Sequence, residues 1–276
     1  MLRQRVITAI VLAAIFLGAL FGLPPVGWTL FAGAVLAVAA WEWAGLARVG
    51  RPARAAYSAG TAVLGLGIAW FLGLASGRPG ALALIPIYGA AVAFWVLAAP
   101  WWLARFPAAP PKWQVLGAGN LVLVATFLAL VHLRNIHPVT LLVFMMLVWI
   151  ADIAAYFAGR RFGRNKLAPR ISPGKTREGL CGALAATSLY AVAWITGLHV
   201  HAPALVRDMP GSLGWMILLV AALTLLSVIG DLFESALKRQ AGLKDSGSLL
   251  PGHGGVLDRI DALTPVLPAA ALVCMV

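Results

Sequence analysis

Nine carboxylates are distributed unevenly along the sequence: Glu42 stands alone in the first 150 residues, and the remainder supplies Asp152, Glu178, Asp208, Asp231, Glu234, Asp245, Asp258 and Asp261. Acids inside or beside apolar segments are costly, so each is a functional candidate. Asp231, Glu234, Ser235 and Lys238 are spaced i, i+3, i+4 and i+7. On a helix they share one face and form a polar wall. Asp258 and Asp261 repeat the i, i+3 spacing. Several carboxylates converging on one cavity repel one another unless positive charge lies between them. A divalent cation is the economical answer, and an oxygen-only ligand set favours Mg²⁺, with Mn²⁺ as a substitute, over zinc. Structural ion pairs with Arg259, Lys238 and Arg239 are the competing account of any single acid, and a weaker one for the set. The two accounts diverge for Asp258→Asn. A metal ligand loses activity with stability level or raised, whereas an ion-pair partner loses stability.

Between the two acid groups runs Lys244-Asp245-Ser246-Gly247-Ser248-Leu249-Leu250-Pro251-Gly252-His253-Gly254-Gly255, dense in glycine and in hydrogen-bond donors. Glycines let backbone approach a ligand closely, and a loop leading into a helix suits phosphate oxygens. The GxxxxGK[ST] spacing of a Walker A loop is absent. His253 reads as a phosphate donor or a turn-stabilising imidazole ahead of a general base. A second loop, from Arg160 to Glu178, carries seven basic residues and ends in Ser172-Pro173-Gly174-Lys175-Thr176-Arg177. Arg160, Arg161 and Arg164 fit an ordinary basic loop. Arg170, Lys175 and Arg177 lie among Pro and Gly turns directly before an apolar segment, where phosphate recognition at a membrane surface competes well.

The elements that must position these groups are membrane helices. Of 276 residues 62% are hydrophobic and 11% charged, against about 25% charged in a soluble domain, and the mean hydropathy is +0.92. This excludes a cytosolic enzyme, a secreted disulfide scaffold and a disordered chain. The net charge of +12 is accounted for by basic cytoplasmic loops and anionic headgroups. No basic aromatic platform lies outside the apolar segments, so no nucleic acid is expected as partner. Cys181 and Cys274 read as packing thiols.

Nine spans of about 20 apolar residues are expected near 6–23, 26–46, 57–75, 81–99, 115–132, 139–159, 179–199, 213–235 and 256–276. The expected fold is an all-α integral membrane protein, a polytopic bundle of about nine transmembrane helices. Residues 1–135 hold about five of them. Residues 136–276 form a catalytic region with cytoplasmic loops 160–178 and 236–261. A cytoplasmic N-terminus leaves only Arg78, Arg134 and Arg207 of the basic residues outside. It also gathers every late acid except Asp208 on one side. Trp41, Trp43, Trp101 and Trp102 read as interfacial anchors.

The run Ser235-Ala236-Leu237-Lys238-Arg239, then Lys244-Asp245, Gly247, Leu250-Pro251, His253-Gly254-Gly255-Val256 and Asp258-Arg259-Ile260-Asp261 resembles the signature of phosphatidate cytidylyltransferases, the CDP-diacylglycerol synthases, at every specified position. Lys166 to Pro173 and Glu178-Gly179, with Asp152 and Tyr156 upstream, also resemble that family. Gly174 and Arg177 depart from it, where Lys and Trp are common. The resemblance implies condensation of CTP with phosphatidic acid to CDP-diacylglycerol and pyrophosphate, with Mg²⁺, in a multi-pass cell membrane. It further implies that Asp231 and Asp258 are metal ligands, supported by Asp261, Glu234 and Asp152. Lys238, Arg239, Lys244 and Arg259 would take the triphosphate, and Arg170, Lys175 and Arg177 the lipid phosphate or the triphosphate. Ser172, Ser235, Asp245, His253, Gly254 and Gly255 complete the expected substrate site; the sequence leaves the oligomeric state open, a homodimer being one assembly it allows. A cation-coupled transporter with a carboxylate-lined site is the alternative. It predicts acids spread through the bilayer depth.

Overall fold

The computed structural model describes residues 2–78, 82–197, 213–252 and 254–275. Asp208, Arg207 and His253 lie outside the described residues. The helices in chain order are α1 (Leu2–Gly22), α2 (Pro25–Leu46), α3 (Arg51–Phe71), α4 (Leu82–Ala104), α5 (Lys112–Ile136) and α6 (Pro138–Phe162). They are followed by α7 (Arg177–Gly197), α8 (Leu213–Ala241), α9 (Leu257–Ile260) and α10 (Leu263–Val273). Among the described residues five helices, α2, α4, α5, α6 and α8, are long and apolar enough to cross a membrane. Val6–Gly22 and Leu263–Val273 are shorter apolar helices. The protein is thus an all-α membrane protein.

Proline sets several boundaries. Pro stands in the first turn of α2, α3 and α6, where its missing N–H is no loss and its fixed φ suits the helix. Within α4 the stretch Phe94–Ala98 widens into a π-turn, with Ala99 N–H donating to Phe94 O. Pro100 follows directly, and the wider turn accommodates its ring and absent donor.

The span expected over 256–276 is broken into α9 and α10, for the same reason. A continuous helix would need Pro265 to donate to Asp261 O. The Thr264 hydroxyl donates to that carbonyl instead, at 2.6 Å. Pro268 likewise leaves Thr264 O without its helical donor, and Thr126 Oγ1 from α5 donates to it at 3.1 Å.

α5 is the central helix, packed against α2, α3, α4, α6 and α10. α6 and α7 form a close pair because glycines face it. A Cβ at Gly179 would lie 2.8 Å from Ala155 O, and one at Gly182 2.3 Å from Ala158 Cβ. Small residues are what allow backbones to approach so closely in a membrane. On α8, Phe233 is boxed by Trp43, Phe94, Trp95 and Trp102, with ring centroids 6.3, 5.5, 5.4 and 5.2 Å away. This aromatic contact holds the rotation of α8.

The loop 160–178 is not wholly irregular. It contains an antiparallel hairpin of β1 (Lys166–Ala168) and β2 (Ser172–Thr176), with Lys166 opposite Thr176 and Ala168 opposite Ser172. The hairpin lies on α8 through Ile171, which packs with Leu232 and Ala236. Two of the four tryptophans read as anchors are core residues. Trp43 is buried and donates to Val115 O at 2.7 Å, and Trp102 is buried beside Phe233. Trp41 and Trp101 face outward, the latter under Arg105 at 3.6 Å. Both cysteines are free thiols, but Cys181 is exposed rather than packed within the protein.

Candidate active site

The ends of α2, α4 and α8 and the starts of α3, α5 and α7 meet at one end of the bundle. α2 stops in a turn where Arg48 N–H donates to Gly45 O and Val49 N–H to Ala44 O. Arg48 takes the left-handed conformation there, φ 54°, a position usually given to glycine. Its guanidinium reaches the carbonyls of Gln240 and Ala241 at the end of α8. Cations favour that end of a helix. Gln240 in turn donates to Ala108 O at 2.7 Å. α8 closes at Gly242, φ 73°, with Leu243 N–H donating to Lys238 O. This turns the chain back across the site.

The polar face of α8 comes together as its spacing predicts. Lys175 of β2 pairs with Asp231 at 2.6 Å, and Ser235 Oγ donates to Asp231 Oδ1 at 3.3 Å. One turn on, Lys238 lies between Glu234 and Asp258, pairing with both, the latter at 2.7 Å. Glu234 is buried, and its oxygens have no hydrogen-bond partner other than that ion pair. Asp258 Oδ2 accepts from Ser246 N–H at 2.9 Å, Ser246 Oγ at 3.0 Å and Gly255 N–H at 2.8 Å. Gly254 carries no side chain because a Cβ would lie 2.6 Å from that oxygen. Asp258 is therefore both the partner of Lys238 and the anchor of the glycine loop.

Asp152, on the outward face of α6, and Asp261 both lie within electrostatic range of Asp231 and Lys175. Asp261 Oδ1 accepts from Ala262 N–H at 2.8 Å. A Cβ at Gly230 would lie 2.6 Å from Asp261 O, so α8 and the α9–α10 corner touch backbone to backbone beside the acids. Arg170, Arg177, Arg239, Lys244, Asp245 and Arg259 are exposed at the rim. Arg239 Nε donates to Ile171 O at 3.5 Å, which ties the rim to the hairpin. Ser172 lies on β2, half-buried. His253 is outside the described residues.

Glu178 takes no part in this cluster. It accepts from the backbone and side chain of Asn165, closing the hairpin. Hydrogen bonds from its own backbone N–H, Asn165 and Arg164 hold its carboxyl below the ordinary glutamate range.

Sequence reasoning passed over Glu42. It is buried at the end of α2 and accepts from Ser246 Oγ, Val256 N–H and Leu257 N–H. A lone acid within an otherwise uncharged apolar span was the available signal.

Five carboxylates, Asp152, Asp231, Glu234, Asp258 and Asp261, thus surround two ammonium groups, Lys175 and Lys238. The donor set is all oxygen and carries excess negative charge, and Glu234 is under-bonded, so it fits a hard divalent cation. Among the described residues no three acid, His or Cys side chains are grouped so as to hold a metal alone.

The fold and this site define, among the described residues, a helical membrane protein with acids, lysines and a glycine loop gathered at one end of the bundle. The chain belongs to the cytidylyltransferase family, whose profile matches residues 3–276, and it is a nucleotidyltransferase. It is 42% identical to a phosphatidate cytidylyltransferase of Pseudomonas aeruginosa, with 98% of this chain and 96% of that one aligned. It is 40% identical to a phosphatidate cytidylyltransferase of Haemophilus influenzae (97% and 96% aligned) and to one of Brucella melitensis (98% and 91%). The resemblance read from residues 235–261 therefore extends over nearly the whole chain.

Proposed function

We propose that the protein condenses CTP with phosphatidic acid, releasing pyrophosphate and forming CDP-diacylglycerol, at the end of the bundle where Lys175, Asp231, Lys238 and Asp258 meet. The observation that carries this reading is the juxtaposition of two ammonium–carboxylate clusters with a glycine loop held by Asp258. The attacking oxygen belongs to a phosphomonoester, whose second pKa is about 6, so it is anionic at neutral pH and needs no general base. The protein's task is to hold two anions in line and to offset their charge.

Arg239, Lys244 and Arg259 at the rim, with Lys238 beneath them, bind the triphosphate in this proposal. The loop through Gly254 and Gly255, whose missing side chains let a ligand approach closely, together with Asp245 and His253, orients the nucleotide. Arg170, Lys175 and Arg177, with Ser172 and Ser235, receive the lipid phosphate. Asp231, with its charge neighbours Asp152 and Asp261 and the under-bonded Glu234, would hold Mg²⁺ or Mn²⁺. Asp258 joins them only when Lys238 releases it. Bound there, the divalent ion offsets charge on the transferring phosphoryl group and on pyrophosphate.

The proposed topology has the N-terminus and the site on the cytoplasmic face of the cell membrane, with α10 a half-length insertion in place of the ninth crossing expected over 256–276. Thr8 Oγ1 of α1 donates to Pro251 O in the glycine loop, which supports an N-terminus on the side of the site. The 18 basic residues assigned to that side support the cytoplasmic assignment. A homodimer belongs to the same proposal, as the commonest closed assembly, and its mass in detergent micelles checks it.

Pyrophosphate release by the purified protein, given CTP and phosphatidic acid with and without Mg²⁺, tests the activity. A signal indifferent to omission of either substrate and to chelation would sink it.

A further inference from the structure

We infer that Glu42 is a positioning residue for the reaction, whose buried carboxylate holds the glycine loop in the shape that meets the nucleotide. Glu42 lies on α2, far from the signature in sequence, and is 4% exposed. Oε1 accepts from Val256 N–H at 3.1 Å. Oε2 accepts from Leu257 N–H at 2.8 Å and from Ser246 Oγ at 3.2 Å. Three donors from both ends of one loop thus converge on a single carboxylate of another helix.

The loop is shaped to admit it. A Cβ at Gly247 would lie 2.4 Å from Glu42 Oε1, and one at Gly255 2.5 Å from Oε2. Both are contacts that only glycine permits. Ser246 carries one hydroxyl hydrogen and faces two carboxylates, Glu42 at 3.2 Å and Asp258 at 3.0 Å. The loop is therefore held from two sides. Asp258 grips it from the Lys238 side, and Glu42 grips it from the N-terminal helices. Glu42 meets neither lysine of the site, so its effect on chemistry passes through the loop.

The inference rests on the assignment of this loop to CTP, and the experiment separates the two. Glu42→Gln replaces one acceptor oxygen by an amide NH₂, which must then face a backbone N–H that also donates. Leaving a buried donor unsatisfied at this contact should lower kcat/KM for CTP by roughly 10- to 100-fold. The KM for phosphatidic acid should stay unchanged, and Glu42→Asp, which keeps both oxygens, should recover part of the loss.

Gly247→Ala pushes the loop off the same carboxylate with no change of charge, and should give the same selective loss. It decides the matter alone if Glu42→Gln does not fold. Normal CTP kinetics in the folded variants, or a fall in rate that only tracks the folded fraction with both KM values intact, would overturn the inference. Lys244→Ala is the independent arm. If it leaves CTP kinetics untouched, the loop assignment fails and the inference with it. If it weakens CTP use while Glu42→Gln does not, the role of Glu42 alone is removed.

Discussion

Asp258→Asn keeps the size of the side chain and removes its charge, and the structure states what each atom then meets. The Asn oxygen can turn to Ser246 N–H, Ser246 Oγ and Gly255 N–H, which Asp258 Oδ2 now accepts from at 2.8–3.0 Å. Its NH₂ then faces Lys238 Nζ, 2.7 Å from the present Oδ1, and neither group can accept. Removing one partner of a deeply buried pair costs about 3–5 kcal/mol. Lys238 keeps Glu234 on its other side, so the loss falls toward that of one charged hydrogen bond, about 1.5–3 kcal/mol. At about 2–4 °C per kcal/mol for a chain of a few hundred residues, the Tm should drop by roughly 3–12 °C. Turnover should vanish as well, since Asp258 anchors the loop and completes the acid cluster. Thermal unfolding and CTP turnover measured on one detergent preparation read both. An unchanged or raised Tm would show that the Lys238 pair contributes nothing, leaving the pure metal-ligand account. Retained turnover with a lowered Tm would remove Asp258 from the chemistry altogether.

Gly230→Ala should cost about 1–3 kcal/mol as an overpacked contact and slow turnover, because its Cβ would lie 2.6 Å from Asp261 O and 2.8 Å from Pro265 Cδ. Gly174→Ala, with open space around it, should leave melting unchanged. Arg239→Ala should raise the KM for CTP by about tenfold, the lower end for a charged contact at an exposed rim, whereas Arg78→Ala should not move it in the same steady-state assay. Cysteines introduced at positions 51, 170 and 245 should react with an impermeant reagent from the cytoplasmic side alone, and one at 207 from the other side alone. Labelling of 245 from outside would refute the shared cytoplasmic site.

The parts of the site that were legible in the sequence are those with short-range periodicity. The i, i+3, i+4, i+7 run on α8 needs only a helix to become one face, and Lys238, Glu234 and Asp258 do meet. Glu42 was marked in the sequence only as a lone acid in an apolar span; its partners lie over 200 residues away, so no spacing tied it to the glycine loop. The hairpin was missed because strands containing Lys, Pro and Gly have little β-propensity. It is held by Ile171 packing on α8 and by Glu178 on Asn165. Trp43 and Trp102 look the same in sequence as Trp41 and Trp101, since only packing decides which indole turns inward. The break between α9 and α10 left a visible mark in Pro265 and Pro268, which continuous hydropathy conceals.

α10 raises a question of assembly. Its 11 residues cover about 16 Å, roughly half of a hydrocarbon core, and every residue from Leu263 to Ala271 is buried. Its neighbours are α4, α5, α6 and α8, so it is lined by protein rather than lipid. A segment that short cannot be retained in a bilayer by its own partitioning. It is retained by the slot that α4, α5, α6 and α8 form around it, where Thr126 satisfies the carbonyl that Pro268 leaves open. Insertion of this peg brings Asp261 against Gly230. The acid cluster is therefore complete only when α10 is seated among α4, α5, α6 and α8, so the chemistry of the site depends on a helix that the protein, not the lipid, holds in place.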